Sequence, residues 1–263
     1  MLSVLDRAAL ADRLRDAERD RAPIDPLVSA FPDLSAADAY QIQLLNIGRR
    51  TAPVVGHKVG LSSLAMQRMM GVDEPDYGHL LADMRLFEQT PVPINRYCYP
   101  RVEIEVAFIL GADLPGSGCT EDDVLAATEA FAPSIELIDS RIVDWRISLA
   151  DTIADNASSA GFVLGAARVP PSAVDIRGID AQLWRGAEVV AAGRSDAVLG
   201  NPVTAVAWLA RTVADHGVRL KAGHIILPGA CAAAVDARPG DEFRATFAGL
   251  GDVSLGFTGG SNG

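Results

Sequence analysis

Val102-Glu103-Ile104-Glu105-Val106-Ala107-Phe108-Ile109-Leu110 is an apolar run interrupted by two glutamates one residue apart. β-Branched and aromatic residues dominate it and Gly111 follows, which predicts a β-strand. Alternate side chains of a strand share a face, so both carboxylates point the same way, with α-carbons roughly 7 Å apart. Val102, Ile104, Val106 and Phe108 take the opposite face. Like charges this close, if partly buried, repel by several kcal/mol at an effective dielectric of about 20. They must reach water, share a proton or share a cation. An edge strand with one wet face gives the same pattern; the other reading is an oxygen-ligand site for a hard divalent ion.

Ser134-Ile135-Glu136-Leu137-Ile138-Asp139 is a second carboxylate-bearing strand. Glu136 is flanked by apolar residues, and lone acids in such runs are seldom buried unless paired or metal-bound. Glu103, Glu105 and Glu136 together suit Mg²⁺ or Mn²⁺, which take a few carboxylates plus water and substrate oxygens. On spacing alone both readings stay open.

A third informative stretch is Val54-Val55-Gly56-His57-Lys58-Val59-Gly60-Leu61-Ser62-Ser63. As a strand it puts Gly56, Lys58 and Gly60 on one face, leaving Lys58 uncrowded; glycine in a strand often marks the close approach of a ligand or backbone. Such a lysine serves as an anion anchor or a base, or is simply exposed. His57 faces the other way and reads as structural. Glu74-Pro75-Asp76-Tyr77-Gly78-His79 reads as a turn rich in functional groups, and Asp155-Asn156-Ala157-Ser158-Ser159 as a capping or turn cluster.

The 263 residues, 49% hydrophobic and 22% charged, describe a globular protein with a sizeable core. A net charge of −11 argues against nucleic acid and anionic membranes as partners, though not against a small anionic substrate in a locally positive cleft. Cys98, Cys119 and Cys231 form neither a disulfide framework nor a zinc motif. The early charges of Asp6 and Arg7, and the absence of a membrane-length apolar stretch, lead to the expectation of a soluble, cytoplasmic protein.

Amphipathic spacing predicts helices over residues 3–21, with Leu10, Leu14 and Ala17 on one stripe, and from Ala36 to about Arg50 behind a Ser35 cap, with Tyr40, Leu44 and Ile47 recurring. Residues 1–52 are therefore expected to be a helical appendage and 53–263 a catalytic β-core domain. Further strands are expected at Val54–Val59, Arg101–Leu110, Ile135–Ile138, Gly161–Leu164, Ile225–Leu227, Glu242–Phe247 and Val253–Phe257, with a hairpin turning at Arg185-Gly186. Helices are expected to start at Thr120 and at Asn201-Pro202. Strands outnumber helices without regular alternation, which points to an α+β fold with a mixed, largely antiparallel β-core. No G-x-S-x-G elbow, phosphate loop or dinucleotide fingerprint is present.

In order along the chain, Gly56–Ser62, Glu74–Gly78, Arg101–Glu105, Ile135–Arg141, Asp155–Ser159, Leu199–Pro202, Gly240-Asp241 and Leu250–Val253 resemble the 2-keto-4-pentenoate hydratase group of the fumarylacetoacetate hydrolase superfamily. The resemblance implies a β-roll core and a bound Mg²⁺ or Mn²⁺ held by Glu103, Glu105 and Glu136. It puts the active-site lysine and aspartate at Lys58 and Asp76, and substrate contacts at Ser158, Ser159 and Gly229. Ala230 departs from the pattern, since many relatives have serine there. Also implied are a 2-hydroxy-2,4-dienoate substrate (2-hydroxypenta-2,4-dienoate or 2-hydroxyhexa-2,4-dienoate) from meta-cleavage of aromatic or steroid rings, a large homo-oligomer, and a possible complex with the downstream aldolase.

The expected reaction is chelation of the substrate's 1-carboxylate and 2-oxygen, ketonisation with protonation at C5, and addition of water at C4 to give a 4-hydroxy-2-oxo acid. Lys58 and Asp76 are the expected proton-transfer pair. A decarboxylase of 2-oxo-3-hexenedioate (4-oxalocrotonate) would use the same chelation and differ by accepting a second, distal carboxylate. A non-catalytic partner subunit would have no physical need for five convergent ionisable groups. A β-diketone hydrolase would need a His-Glu pair, for which the sequence offers no clear candidate.

Overall fold

The computed structural model describes residues 1–259. Ser3 caps helix α1 (Val4–Asp20) through a bond from Asp6 N–H, and Ser35 caps α3 (Ala36–Arg49) in the same way; α2 (Leu27–Ala30) lies between them. Leu10, Leu14 and Ala17 are buried as the spacing predicts. On α3 the buried residues are Asp38, Ala39, Tyr40, Ile42 and Gln43, with Leu44 and Ile47 only half-buried.

The first sheet contains β1 (Val54–Gly60), β2 (Asp76–Leu81), β4 (Arg101–Leu110), β5 (Thr128–Ile138), β6 (Ser159–Leu164) and β9 (Ile225–Leu227), in the order β2-β1-β9-β4-β5-β6. The two-residue strand β10 (Val235–Asp236) pairs with the outer end of β4. The second sheet runs β3-β12-β11-β7-β8, from β3 (Val92–Pro93), β7 (Asp180–Arg185), β8 (Glu188–Arg194), β11 (Glu242–Phe247) and β12 (Gly251–Thr258). All pairs are antiparallel except β1 with β9 and β12 with β3, so the fold is the mixed, largely antiparallel β-roll expected.

Period-two alternation builds the core. Val102, Ile104, Val106 and Phe108 of β4 pair with Leu137, Ile135, Pro133 and Phe131 of β5, and these side chains join Leu183, Phe243, Phe247, Val253, Leu255 and Phe257 of the second sheet. Phe108 and Phe131 meet edge to face with centroids 4.8 Å apart, a favourable aromatic geometry. Leu10, Leu14, Leu27 and Ile42 belong to the same buried cluster, so the N-terminal helices close one side of the core.

Helix α4 (Leu64–Met70) follows β1, α5 (Glu121–Ala127) precedes β5, and α6 (Leu149–Ala154) precedes β6. Asn201 caps α7 (Pro202–Asp215), which buries Val203, Val206, Leu209 and Val213 before Gly217 at φ +73°. The turn between β7 and β8 centres on Gly186, as the sequence predicts.

Three expectations are corrected. β4 is not a wet edge strand: it lies between β9 and β5, and Glu105 is fully buried. Glu74–His79 is not a turn throughout, because Asp76 opens strand β2, whose partner β1 supplies its hydrogen bonds. β5 begins at Thr128 rather than Ile135, running straight out of α5.

Candidate active site

The antiparallel register sets Glu103 directly opposite Glu136, and Glu105 opposite Ser134, all on the face of β4 and β5 turned away from the main core. One carboxylate oxygen from each of Glu103, Glu105 and Glu136 lies within 4.8 Å of the others. Glu105 and Glu136 are fully buried, while Glu103 is half-buried at the edge of a cavity. Glu105 Oε2 accepts a bond from Gly229 N–H (2.7 Å), and Glu136 Oε1 accepts one from Ser159 Oγ (3.0 Å). Among the described residues, Glu105 Oε1 and Glu136 Oε2 have no hydrogen-bond donor.

Three carboxylates cannot all stay ionised here without a counter-charge. Burial pushes Glu103 up to about 7, partly opposed by Lys58. Burial, then the charges of Glu136 and Glu103, push Glu105 well above the usual carboxylate range. Glu136 is also raised by burial, against the pull of Lys58. Convergent buried oxygens with lone pairs unfilled by the protein fit a hard divalent cation, which supplies the missing charge to all three.

Lys58 and Asp76 come in from the neighbouring strands. β1 pairs with β2 so that Lys58 faces Gly78 and Gly60 faces Asp76. Lys58 is 3% exposed; its Nζ donates to Ala157 O (2.9 Å) and lies 3.5 Å from Glu136 Oε2. Burial opposes its charge, but Glu136, Glu103, Asp76 and Glu105 outweigh burial, and its pKa is raised. Asp76 is 1% exposed, and burial raises its pKa more than Lys58 lowers it. A methyl group on Gly60 would sit 2.1 Å from Asp76 Oδ1 and 3.5 Å from Lys58 Nζ, so both polar ends converge on the space this glycine leaves open.

The turn after α6 has a geometry that residue types alone do not disclose. Asn156, Ala157 and Ser158 are all left-handed, at φ +54°, +50° and +57°, a conformation costing non-glycine residues of order 1–3 kcal/mol each. It aims Ala157 O at Lys58. Asn156 Oδ1 accepts from His79 N–H (2.8 Å) and its Nδ2 donates to His79 O (3.0 Å), standing in for a further strand beside β2. Arg141 clamps the same turn through Nε to Asp155 Oδ1 (2.5 Å) and Nη2 to Asp155 O (2.7 Å). Ser159 therefore meets Glu136, whereas the buried Ser158 Oγ has no partner among the described residues. Gly229, at φ +129°, is required sterically, since a β-carbon there would lie 1.7 Å from Ser62 Oγ.

Residues 72–256 match the fumarylacetoacetate (FAA) hydrolase C-terminal family. The chain belongs to this family. It is 41% identical over 254 residues, covering 95% of this chain and 94% of the relative, to a 2-keto-4-pentenoate hydratase of Paraburkholderia xenovorans (strain LB400). It is 40% identical over 251 residues, 94% of this chain and 95% of the other, to a 2-hydroxyhexa-2,4-dienoate hydratase of Comamonas testosteroni. Among solved structures, the 4-oxalocrotonate decarboxylase from Pseudomonas putida G7, complexed with magnesium and adipate, superposes with a TM-score of 0.93 at 35% identity, over 98% of this chain and 99% of that one.

The structure thus brings Lys58, Asp76, Glu103, Glu105, Glu136 and Ser159 of this family member into one cluster, with Gly229 bonded to it through Glu105. His57 lies on the opposite face of β1, its ring tilted against that of His79 with centroids 4.8 Å apart, and takes no part. Sequence reasoning missed the Ala157 carbonyl and the Asn156 and Arg141 clamps. The Asp155–Ser159 segment was the signal, read as a turn without its handedness.

Proposed function

We propose that this chain is a divalent-metal-dependent hydratase of 2-hydroxy-2,4-dienoates, yielding a 4-hydroxy-2-oxo acid. The observation that carries the reading is the buried convergence of Glu103, Glu105 and Glu136 beside Lys58 and Asp76. Relatives at 40–41% identity over nearly the full chain bear hydratase names, which supports it.

Glu103, Glu105 and Glu136 would hold Mg²⁺ or Mn²⁺, which when bound supplies Lewis-acid polarisation of the substrate's 1-carboxylate and 2-oxygen. Gly229 N–H and Ser159 Oγ fix two of the ligand carboxylates, so the cage is oriented before substrate arrives. Lys58 Nζ, held by Ala157 O, presents a cation toward the substrate's developing negative charge. Asp76, buried with its Oδ1 beside the space that Gly60 leaves, gives and takes the proton that moves between the dienol and the 2-oxo-3-enoate. Water then adds at C4, with Lys58 and Asp76 as its positioning groups. Ser158, whose buried Oγ has no partner among the described residues, is a further substrate contact.

The test is mass identification of the product from freshly generated 2-hydroxypenta-2,4-dienoate and 4-oxalocrotonate, with Mg²⁺ present. Gain of water on the former is expected; loss of CO₂ from the latter, with no hydration, would establish a decarboxylase instead. The reading extends to a cytoplasmic homo-oligomer serving aromatic or steroid ring catabolism beside an aldolase that consumes its product. Among the described residues, no helix is long and apolar enough to cross a membrane, in keeping with that setting. Sedimentation of the chain alone and with such an aldolase tests the assembly.

A further inference from the structure

The cavity that ends at Glu103 and Gly60 has a volume of about 870 Å³. Pockets of roughly 300–1,000 Å³ hold drug-sized ligands, whereas a pentadienoate has only eight non-hydrogen atoms. Chelation at the glutamates would put the substrate's polar end at the floor, so the remaining volume lies along its distal end. Leu64, Met66, Leu199, Ala230 and Ala233 are among the apolar residues that line the cavity. Leu64 and Met66 are 58% and 43% exposed, large apolar side chains at the mouth with little protein around them.

Among the described residues, the charged groups in the same wall offer no free cation to a second carboxylate. Arg101 is the one cation among the described lining residues, and it is already committed: its Nε is 2.8 Å from Asp236 Oδ1 and its guanidinium lies 4.5 Å from the centre of the Trp145 ring. Asp196 is likewise committed, to Arg194, and Ala230 offers no hydroxyl.

We propose that this site selects dienoates whose distal substituent is apolar and larger than a methyl group, an alkyl chain of several carbons or an aryl ring, seated against Leu64, Met66 and Leu199, and that it rejects a distal carboxylate. The proposal rests on the hydratase reading and adds the specificity to it. Leu64, Met66 and Leu199 are the specificity-determining residues. Each methylene buried along this wall should raise kcat/KM by up to about fourfold.

The experiment has two arms. In the first, the Mg²⁺-loaded enzyme is assayed with 2-hydroxy-2,4-dienoates bearing hydrogen, methyl, propyl, phenyl or carboxylate at the distal end. In the second, calorimetry measures binding of pyruvate, 2-oxohexanoate, 2-oxooctanoate and 2-oxoadipate to the same protein, a readout independent of turnover. The expected results are kcat/KM rising from hydrogen to propyl or phenyl, 2-oxooctanoate binding at least tenfold tighter than pyruvate, and 2-oxoadipate binding more weakly than 2-oxohexanoate. Leu64→Ser should compress the propyl-to-hydrogen ratio several-fold, and Leu199→Ser provides the same comparison if the first variant folds poorly. Hydration fastest for the unsubstituted, the methyl or the carboxylate substrate would overturn the proposal and leave the hydratase reading standing. Failure to hydrate any member of the series would overturn both.

Discussion

Gly60→Ala isolates Asp76 from the rest of the site. The added methyl carbon would lie 2.1 Å from Asp76 Oδ1 and 3.2 Å from its Cγ, whereas ordinary carbon contacts are about 3.5–4 Å. The carboxylate must therefore retreat by roughly 1 Å or more, and a displacement of about 1 Å at a reacting group can cost about 100-fold in rate. Backbone strain is not the issue, since Gly60 lies within β1 and is not among the left-handed glycines. Overpacking should cost about 1–3 kcal/mol, a fall in Tm of several degrees that leaves the protein folded at 25 °C. The metal ligands are not touched, so Mg²⁺ affinity should stay within about threefold of wild type, set here as the margin for an untouched site. The assay is decay of dienoate ultraviolet absorbance at saturating Mg²⁺. Gly48→Ala is the control: nothing lies within 4 Å of its added carbon, and helix propensity there favours alanine by about 0.5–1 kcal/mol. A Gly60→Ala enzyme with wild-type kcat would refute the placement of Asp76 at the reacting carbon.

Lys58→Met removes the cation 3.5 Å from Glu136 and should abolish turnover. Because breaking a buried pair typically costs about 3–5 kcal/mol, the metal-free variant should melt well below wild type and recover part of the loss on Mg²⁺ addition, measured by calorimetry. Burial holds His79 at about 4, below its ordinary value of 6.5, and holds His57 well below that value too. The unfolded chain then binds protons between about pH 6.5 and 4 that folded His79 refuses, so this contribution, worth about 3 kcal/mol, is lost as pH falls through that window. His79→Gln should gain that much relative to wild type between pH 7 and pH 4 in urea titrations; a difference that does not change with pH would count against it. Gln43 Nε2 donates to Tyr77 O (2.9 Å) and Ile153 O (2.8 Å), tying α3 to β2 and α6. Gln43→Leu should lower stability by roughly 1–3 kcal/mol, because two buried carbonyls lose their donor.

The strands that carry the three glutamates were legible because their signal is local: alternation in Val102–Leu110 assigns the faces, and Glu136 stands out among apolar neighbours. Lys58 was legible for the same reason, since Gly56 and Gly60 flank it on one face. The corrections arise where tertiary partners decide. Pro75, Asp76 and Gly78 have turn composition, yet Gly78 is in a strand, and the Asn156 carbonyl lies 2.3 Å from where its β-carbon would be. The first half of β5 escaped notice because Ala130 and Ala132 carry little strand propensity and follow a helix without a break. No sequence pattern announces three left-handed residues at Asn156–Ser158; packing around Arg141–Asp155 and the bond to Lys58 hold them. The convergence of Glu136 with Glu103 and Glu105 likewise depends on register, which alternation alone leaves free by steps of two.

On the function proposed above, three glutamates hold one catalytically required divalent ion. Mn²⁺ titration of metal-stripped protein, followed by electron paramagnetic resonance and by dienoate turnover in the same samples, tests it most directly. One tightly bound Mn²⁺ per chain is expected, with turnover rising in proportion to occupancy and both lost in Glu105→Gln. Full turnover in the stripped wild type, or unchanged Mn²⁺ affinity in Glu105→Gln, would contradict it.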